Sequence, residues 1–152
     1  MKKGLRAMLI GLSILIIALL GLMAYVRLAP SDPVAWNTAP PPMDQSAPAG
    51  TVVPLTGGAT LLLAADSGAP ADLLGRLDAI AVATPRTVRL AGSVAEGRIT
   101  WETRSALWGF PDYTTAEVRA DGLHIHARQR FGREDMGVNA KRLTDWNAEL
   151  MR

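Results

Sequence analysis

The sequence predicts an α+β domain behind an N-terminal transmembrane helix: an antiparallel sheet of four or more strands covered by two helices. Three observations predict it. An uncharged apolar run extends from Ala7 to Val26. Short stretches of alternating polarity fill the middle of the chain and meet at an Asp121-Gly122 turn. Two stretches, one opening at Pro70 and one near Asn139, repeat apolar residues at helical spacing. Strands grouped in runs, with only two helices to cover one face, belong to an antiparallel α+β sheet rather than to repeated βαβ units.

The apolar run comes first. About 20 residues at 1.5 Å rise span a hydrocarbon core of about 30 Å, and lipid offers the backbone no hydrogen bonds, so a helix is expected. Lys2, Lys3 and Arg6 precede the run, whereas Arg27 after it is partly offset by Asp32. The positive-inside rule then leaves the N-terminus in the cytoplasm and carries the remainder across. A cleaved signal peptide competes with this reading, but cleavage after Ala24 would place Leu22 at position −3, and cleavage after Ala29 would place Arg27 there; both positions call for small residues. The expectation is a retained single-pass anchor in a bacterial inner membrane, with residues 7–26 in the bilayer, Tyr25 at its outer interface and the domain in the periplasm.

Residues 1–28 are thus the cytoplasmic tip and anchor. Residues 29–50 carry Pro30, Pro33, Pro40, Pro41, Pro42 and Pro48, which block helix and sheet ladders and predict an extended tether. Trp36 is out of place in a bare linker; it either lies at the membrane interface or caps the core of the domain. Residues 51–152 are the globular extracytoplasmic domain.

Within the domain, Thr51–Leu55 and Ala59–Ala64 flank the Gly57-Gly58 turn and read as strands. Pro70 opens a helix to about Val82, with Leu73, Leu77 and Ile80 on one face and Leu74 and Ala81 beside it; Thr84-Pro85 ends it. Thr87–Ala91 alternates, with Val88 and Leu90 to one side, and Arg98–Ser105 alternates Ile99, Trp101 and Thr103 against Thr100, Glu102 and Arg104. Thr114–Ala120 and Leu123–Arg130 form a hairpin about Asp121-Gly122. Leu123, Ile125 and Ala127 face its core; His124, His126, Arg128 and Arg130 face away. The last helix starts near Asn139, a candidate N-cap, and places Leu143, Trp146 and Leu150 on one stripe.

Composition excludes several function classes. Of sixteen Lys and Arg, three precede the apolar run, leaving thirteen against fourteen Asp and Glu, a net charge of −1. A nucleic-acid binder carries its basic excess on the folded domain, so nucleic acid is not an expected partner. The absence of cysteine excludes disulfides, thiolate nucleophiles and Cys-based zinc sites. No nucleophile elbow, dinucleotide fingerprint or P-loop is present; Gly132 and Gly137 have P-loop spacing, but no Lys-Ser/Thr follows. No cofactor is expected.

Three groups of residues carry candidate chemistry. His124 and His126, two apart on a strand, share a face as two imidazole ligands would, but no third ligand is evident, so a solvent-facing hairpin edge is the expected reading and no metal site is assigned. Arg128, Arg130 and Arg133, with the Gly132–Gly137 loop and the helix start at Asn139, have the makings of an anion site, since arginine forks and free helix N–H groups suit carboxylate or phosphate. Against that, Asp112, Glu134 and Asp135 lie close enough in sequence to pair with these arginines structurally. The expectation is one ion-pair unit in which Asp112 and Asp135 neutralise Arg128 and Arg130. Finally, Leu107-Trp108-Gly109-Phe110-Pro111 is an apolar loop, expected to fold back as a core plug, with an exposed wedge as the alternative.

Thr103-Arg104-Ser105, Gly109-Phe110-Pro111-Asp112-Tyr113, Arg128-Gln129-Arg130-Phe131-Gly132, Asp135-Met136-Gly137-Val138-Asn139 and Arg142 resemble the uncharacterised bacterial family catalogued as domain of unknown function 1499. Leu28–Pro33 with Trp36 resembles the stretch after the anchor in its membrane-anchored members. The resemblance departs at Ala127-Arg128-Gln129-Arg130, where members often read Ser-Arg-Ser-Arg, so two hydroxyls are missing here. It implies a shared domain and supplies no reaction. The reading that follows is a non-catalytic, envelope-facing binding or interaction module, whose partners beyond the bilayer would be an envelope protein, a lipid or an anionic ligand. The alternative is an enzyme on an envelope substrate with Asp112, His126 or Asp135 as acid or base.

Overall fold

Strands β5 (Pro111–Arg119) and β6 (Gly122–Gln129) form the expected antiparallel hairpin, but its turn residues are Ala120 and Asp121: Gly122 already opens β6 opposite Arg119, and Tyr113 lies opposite Arg128. Around this hairpin a computed structural model, which describes residues 2–43 and 46–152, places β1 (Val52–Leu55), β2 (Gly58–Ala64), β3 (Thr87–Ser93) and β4 (Arg98–Arg104). The six strands form one antiparallel sheet in the order β1-β2-β6-β5-β4-β3. Strand β6 is therefore central, not an edge.

Four helices accompany the sheet: α1 (Lys3–Leu28), the short α2 (Pro33–Trp36), α3 (Pro70–Ala83) and α4 (Val138–Leu150). Helices α3 and α4 cover one face. Leu73, Leu74 and Leu77 of α3 and Leu143, Trp146 and Leu150 of α4 close over Leu61, Ile99, Trp101, Leu123 and Ile125. The polar ends of the buried indoles are satisfied: Trp101 Nε1 donates to Asp78 at 2.9 Å and Trp146 Nε1 to Thr84 Oγ1 at 2.9 Å, as buried polar groups require. In β3 a bulge between Arg89 and Ala91 breaks the alternation, and Val88 is left 59% exposed.

Helix α1 has 26 residues, about 39 Å at 1.5 Å each, and is long and apolar enough to cross a membrane. Its mostly exposed apolar surface fits a membrane anchor or a signal sequence. Its last turns touch the domain. Tyr25 meets Phe131 edge-on at 6.5 Å, Arg27 Nη2 donates to Leu107 O at 2.5 Å, and Arg104 donates to the terminal carbonyls of Val26, Arg27 and Ala29. An arginine at this end satisfies carbonyls that have no helical partner and opposes the negative end of the helix dipole.

The described part of the expected tether does not hang free between anchor and domain. Residues 30–43 follow the second face of the sheet, with Pro40 buried and Trp36 half-buried; Met1 and residues 44–45 lie outside the described residues. On β4, β5 and β6 that face carries the polar set, including Arg98, Thr100, Glu102, Thr115, Glu117, His126 and Arg128, and the strap docks on it.

Candidate functional site

The alternation along β4, β5 and β6 sends Arg98, Arg104, Arg119, Arg128 and Arg130 to the strap face, and each donates to backbone carbonyls of residues 26–40. Arg128 is the centre of this arrangement. Its Nη2 donates to Trp36 O at 2.5 Å and Thr38 Oγ1 at 3.2 Å, its Nη1 to Thr115 Oγ1 at 3.1 Å, and the guanidinium lies 5.5 Å from the Trp36 ring centroid. Tyr113 stacks on the same indole, ring centroids 3.9 Å apart at 18°. The Tyr113 hydroxyl shares a 2.6 Å hydrogen bond with Ser31 and accepts from Arg130 Nη1 at 3.3 Å; the same Nη1 donates to Pro30 O at 2.8 Å. Trp36, expected at the membrane interface or as a cap on the core, packs instead on Tyr113 and Arg128 on the face of the sheet away from the core.

Both histidines lie under or beside this strap. His124 is 4% exposed, with Nε2 2.8 Å from Asp121 Oδ1 and Nδ1 3.2 Å from Arg119 Nη1. Burial, and then the Arg128 charge, push the His126 imidazole down to about 4. The solvent-facing histidine edge is therefore corrected: a central strand has neighbours on both sides. No group of three His, Asp or Glu residues suited to a metal ion occurs among the described residues.

The expected ion-pair unit is divided by the sheet. Asp112 stands opposite Gln129, so its side chain lies on the helix face, while Arg128 and Arg130 lie on the strap face. Asp112 Oδ2 instead accepts from Arg142 Nη2 at 3.2 Å, with side chains 14% and 10% exposed. Arg142 Nη1 donates to Asn139 Oδ1 at 2.6 Å. Asn139 is fully buried within α4 and is not its cap; its Nδ2 faces the Asp112 carboxylate but closes no hydrogen bond. Capping falls to Asp135, whose Oδ1 accepts from Gly137 N at 3.1 Å and Oδ2 from Asn139 N at 2.9 Å. Arg133 is exposed and makes no ion pair among the described residues. Asp112, Asp135 and Asn139 are thus brought together; Arg128 and Arg130 form a separate cluster, and Arg133 joins neither.

Burial holds the Asp112 carboxyl above the usual carboxylate range; the Arg142 guanidinium opposes the rise without cancelling it, and the Asp135 charge adds to it. For Asp135 burial also pulls upward, but its bonds from Asn139 and Gly137 outweigh that and hold it below its ordinary value.

These residues edge a cleft of about 390 Å³ lined by Ser105, Phe110, Asp112, Gln129, Phe131, Gly132, Glu134, Asp135, Met136 and Val138. Its apolar wall is a chain of rings: Trp108 to Phe110 at 6.4 Å, Phe110 to Phe131 at 6.1 Å, and Phe131 to Tyr25 of α1. The loop expected as a core plug is part of this wall. Leu107 is 67% exposed, Trp108 and Phe110 are half-buried, and none of them joins the core cluster. Gly109, at φ 74°, lets the loop press on the helix end, since a Cβ there would lie 2.6 Å from Arg27 Cγ. Across the cleft Met136 is 89% exposed and takes φ 53°, a left-handed conformation that ordinary side chains adopt at a cost of about 1–3 kcal/mol. The Asp135 cap fixes the turn that holds it there.

Arg142 is the member of the site that the sequence argument left out. Counting back from an Asp121-Gly122 turn would pair Arg128 with Thr115, two residues off the observed Tyr113, but either register sets Asp112 against an odd-numbered residue, on the face of Leu123 and Ile125 and not of Arg128, so parity was available to find the division. The carbonyl partners of the arginines leave no sequence signal, because every residue has a carbonyl.

A family model described as a protein of unknown function (DUF1499) matches residues 30–150. No curated protein and no solved structure matches the chain.

Proposed function

We propose that this chain, which belongs to the DUF1499 family of proteins of unknown function, is a non-catalytic binding module. In this reading α1 anchors it in the bacterial inner membrane and the domain stands in the periplasm. The observation that supports it is the apolar-walled cleft joined through Phe131 and Tyr25 to the last turns of α1. Its volume of about 390 Å³ falls among small-ligand sites, roughly 300–1,000 Å³, which are mostly apolar with a few placed polar groups. Asp112 and Gln129 are such groups here.

The enzyme reading retains one favourable observation. Asp112, held above the ordinary carboxylate range in an apolar cleft beside a second carboxylate, has the character of a general acid. Its other candidate, His126, lies on the opposite face of the sheet, across from Thr60 and Thr115, and does not converge with Asp112.

The test uses the full chain in phosphatidylcholine nanodiscs with methyl-labelled methionine, the Met136 signal being assigned by its loss in Met136→Leu. Dodecanol, a neutral apolar chain, should shift the Met136 methyl signal saturably while leaving Met151 unmoved, and Val138→Trp, which fills the cleft, should abolish the shift. A Met136 signal that follows bilayer dodecanol without saturating would sink the reading. Alkaline phosphatase fused after Arg152 should be active; an inactive fusion, with a cytoplasmic reporter active in its place, overturns the orientation.

A further inference from the structure

The cleft has an uneven chemistry. Four of its walls are apolar, from Phe110, Phe131, Met136 and Val138, while Asp112, Glu134 and Asp135 contribute three carboxylates and no Lys, Arg or His lines it. Of the cations nearby, Arg142 reaches Asp112 from the α4 side and borders a separate cleft with Lys141 and Asp145, Arg130 is held on the strap face by Pro30 and Tyr113, and Arg133, exposed between Gly132 and Glu134, is not on the lining. Arg142 donates to Oδ2 of the Asp112 carboxylate, and Asp112 is itself on the lining of the cleft.

The position of the cleft supplies the second half of the argument. Arg104 grips the carbonyls of Val26, Arg27 and Ala29, Arg27 grips Leu107, and Tyr25 abuts Phe131. The end of α1 is thus fixed to the cleft wall rather than joined to it by slack chain. Exposed apolar side chains occur on the lining, Met136 at 89% and Val138 at 51%, and at the end of α1, Leu28 at 80% with Leu107 at 67% beside Arg27. Apolar surface grouped like this marks a contact with something apolar, and the apolar phase nearest the end of a spanning helix is the acyl region of its own bilayer.

We infer that the cleft takes a cationic amphiphile from the bilayer, its apolar chain between Phe110, Phe131 and Met136 and its hydrogen-bond-donating amine against Asp112 and Glu134. This rests on the binding reading above and adds the ligand class. An ammonium group donates to carboxylate oxygens and meets no positive side chain on the lining; a phosphate or carboxylate head would meet three like charges instead. The chain of such a molecule needs no aqueous route, because the ring wall leads from the cleft to Tyr25.

The test compares three probes of one chain length, dodecylamine, dodecanol and dodecyl phosphate, in the nanodiscs and Met136 readout described above, with each concentration expressed as its mole fraction in the bilayer. The amine should half-saturate the Met136 shift at a mole fraction about tenfold below the alcohol, and the phosphate should be weakest; tenfold corresponds to about 1.4 kcal/mol. Glu134→Gln, an exposed substitution that leaves the cap and the Arg142 pair intact, should narrow the amine-to-alcohol ratio while leaving the alcohol unchanged. Equal affinity for amine and phosphate, or a ratio untouched by Glu134→Gln, overturns the ligand class and leaves the binding reading standing. Failure of all three probes to move Met136 saturably overturns the binding reading itself.

Discussion

Asp112 and Arg142 are paired at the rim of the core, and the cost of separating them can be worked from their surroundings. Asp112→Leu strands the Arg142 charge, 10% exposed, with Asn139 Oδ1 as its remaining side-chain acceptor. Removing one partner of a buried pair costs about 3–5 kcal/mol. Asp112→Asn is milder, because its amide oxygen still accepts from Arg142 and the carboxylate it replaces was disfavoured by burial; the loss should be about 1–3 kcal/mol, the scale of one hydrogen bond to a charged group. Asp112→Leu combined with Arg142→Met removes both charges and should be less destabilising than Asp112→Leu alone. The linkage to pH has a definite sign. The folded carboxyl lies above its unfolded value, so Asp112 contributes most below the ordinary carboxylate pKa and its contribution falls as pH rises through the folded value. The deficit of Asp112→Asn should therefore shrink as pH rises over that window. Urea unfolding of the full chain in detergent, from pH 3 to 7, measures all of this. A double variant no better than Asp112→Leu would refute the coupling, and a deficit that grows with pH would show that Arg142 outweighs burial.

Two further predictions concern the strap face. The folded pKa of His126 lies at about 4 against an ordinary 6.5, so the unfolded state binds the proton first: stability is whole above about 6.5 and is lost as pH falls toward 4, by about 1–2 kcal/mol after allowance for partial exposure. His126→Gln should flatten urea midpoints between those values, and an unaltered slope would mean the imidazole is freely solvated. Trp36→Ala removes the Tyr113 stack and the cover over Arg128; being half-buried, it should lower stability by about 2–3 kcal/mol, under the 3–5 of a fully buried aromatic, and open residues 30–43 to protease, whereas a loss below about 0.5 kcal/mol would mean the strap is not fastened there.

Much of the fold was written in periods. Leu73, Leu77 and Ile80 at helical spacing, Ile99 and Trp101 at strand spacing and the Asp121-Gly122 turn each report local geometry, and the resulting α+β sheet with two covering helices is what the chain forms. The short helix Pro33–Trp36 escaped notice because the prolines around it suggest extended chain, yet Pro33 occupies a first-turn position where its missing N–H is harmless and Asp32 caps Val34 at 2.9 Å. The site was less legible. Asp112 and Arg130 are charged residues close in sequence to each other's strands, and charge alone cannot tell which face a side chain takes; strand parity does, and it separates them. Met136 and Gly137 hold a left-handed turn that a glycine hints at and a methionine does not.

The strap also explains why a domain without net positive charge places five arginines on one surface. A sheet face carrying threonines, histidines and a tyrosine cannot be covered by an apolar helix without stranding polar groups. A segment rich in proline is a suitable cover of another kind. It has few N–H groups to satisfy and many carbonyls to offer, and it keeps those carbonyls free because it forms no long helix or ladder of its own. Guanidinium groups match this need: each reaches more than one acceptor, as Arg104 does with Val26, Arg27, Ala29 and Gly109, where the compact ammonium of lysine would act as a point charge. Part of the charge is offset on the same face by Glu102 against Arg104 and by Glu117 against Arg98 and Arg119; burial alone would raise the Glu117 pKa, but these two arginines hold it below its ordinary value. Strap, arginines and carboxylates therefore form one hydrogen-bonded layer, and its grip extends to the end of α1. The cleft lies at the edge of that layer, fixed relative to the helix, and the position of its mouth follows from the same arginine contacts that hold the strap.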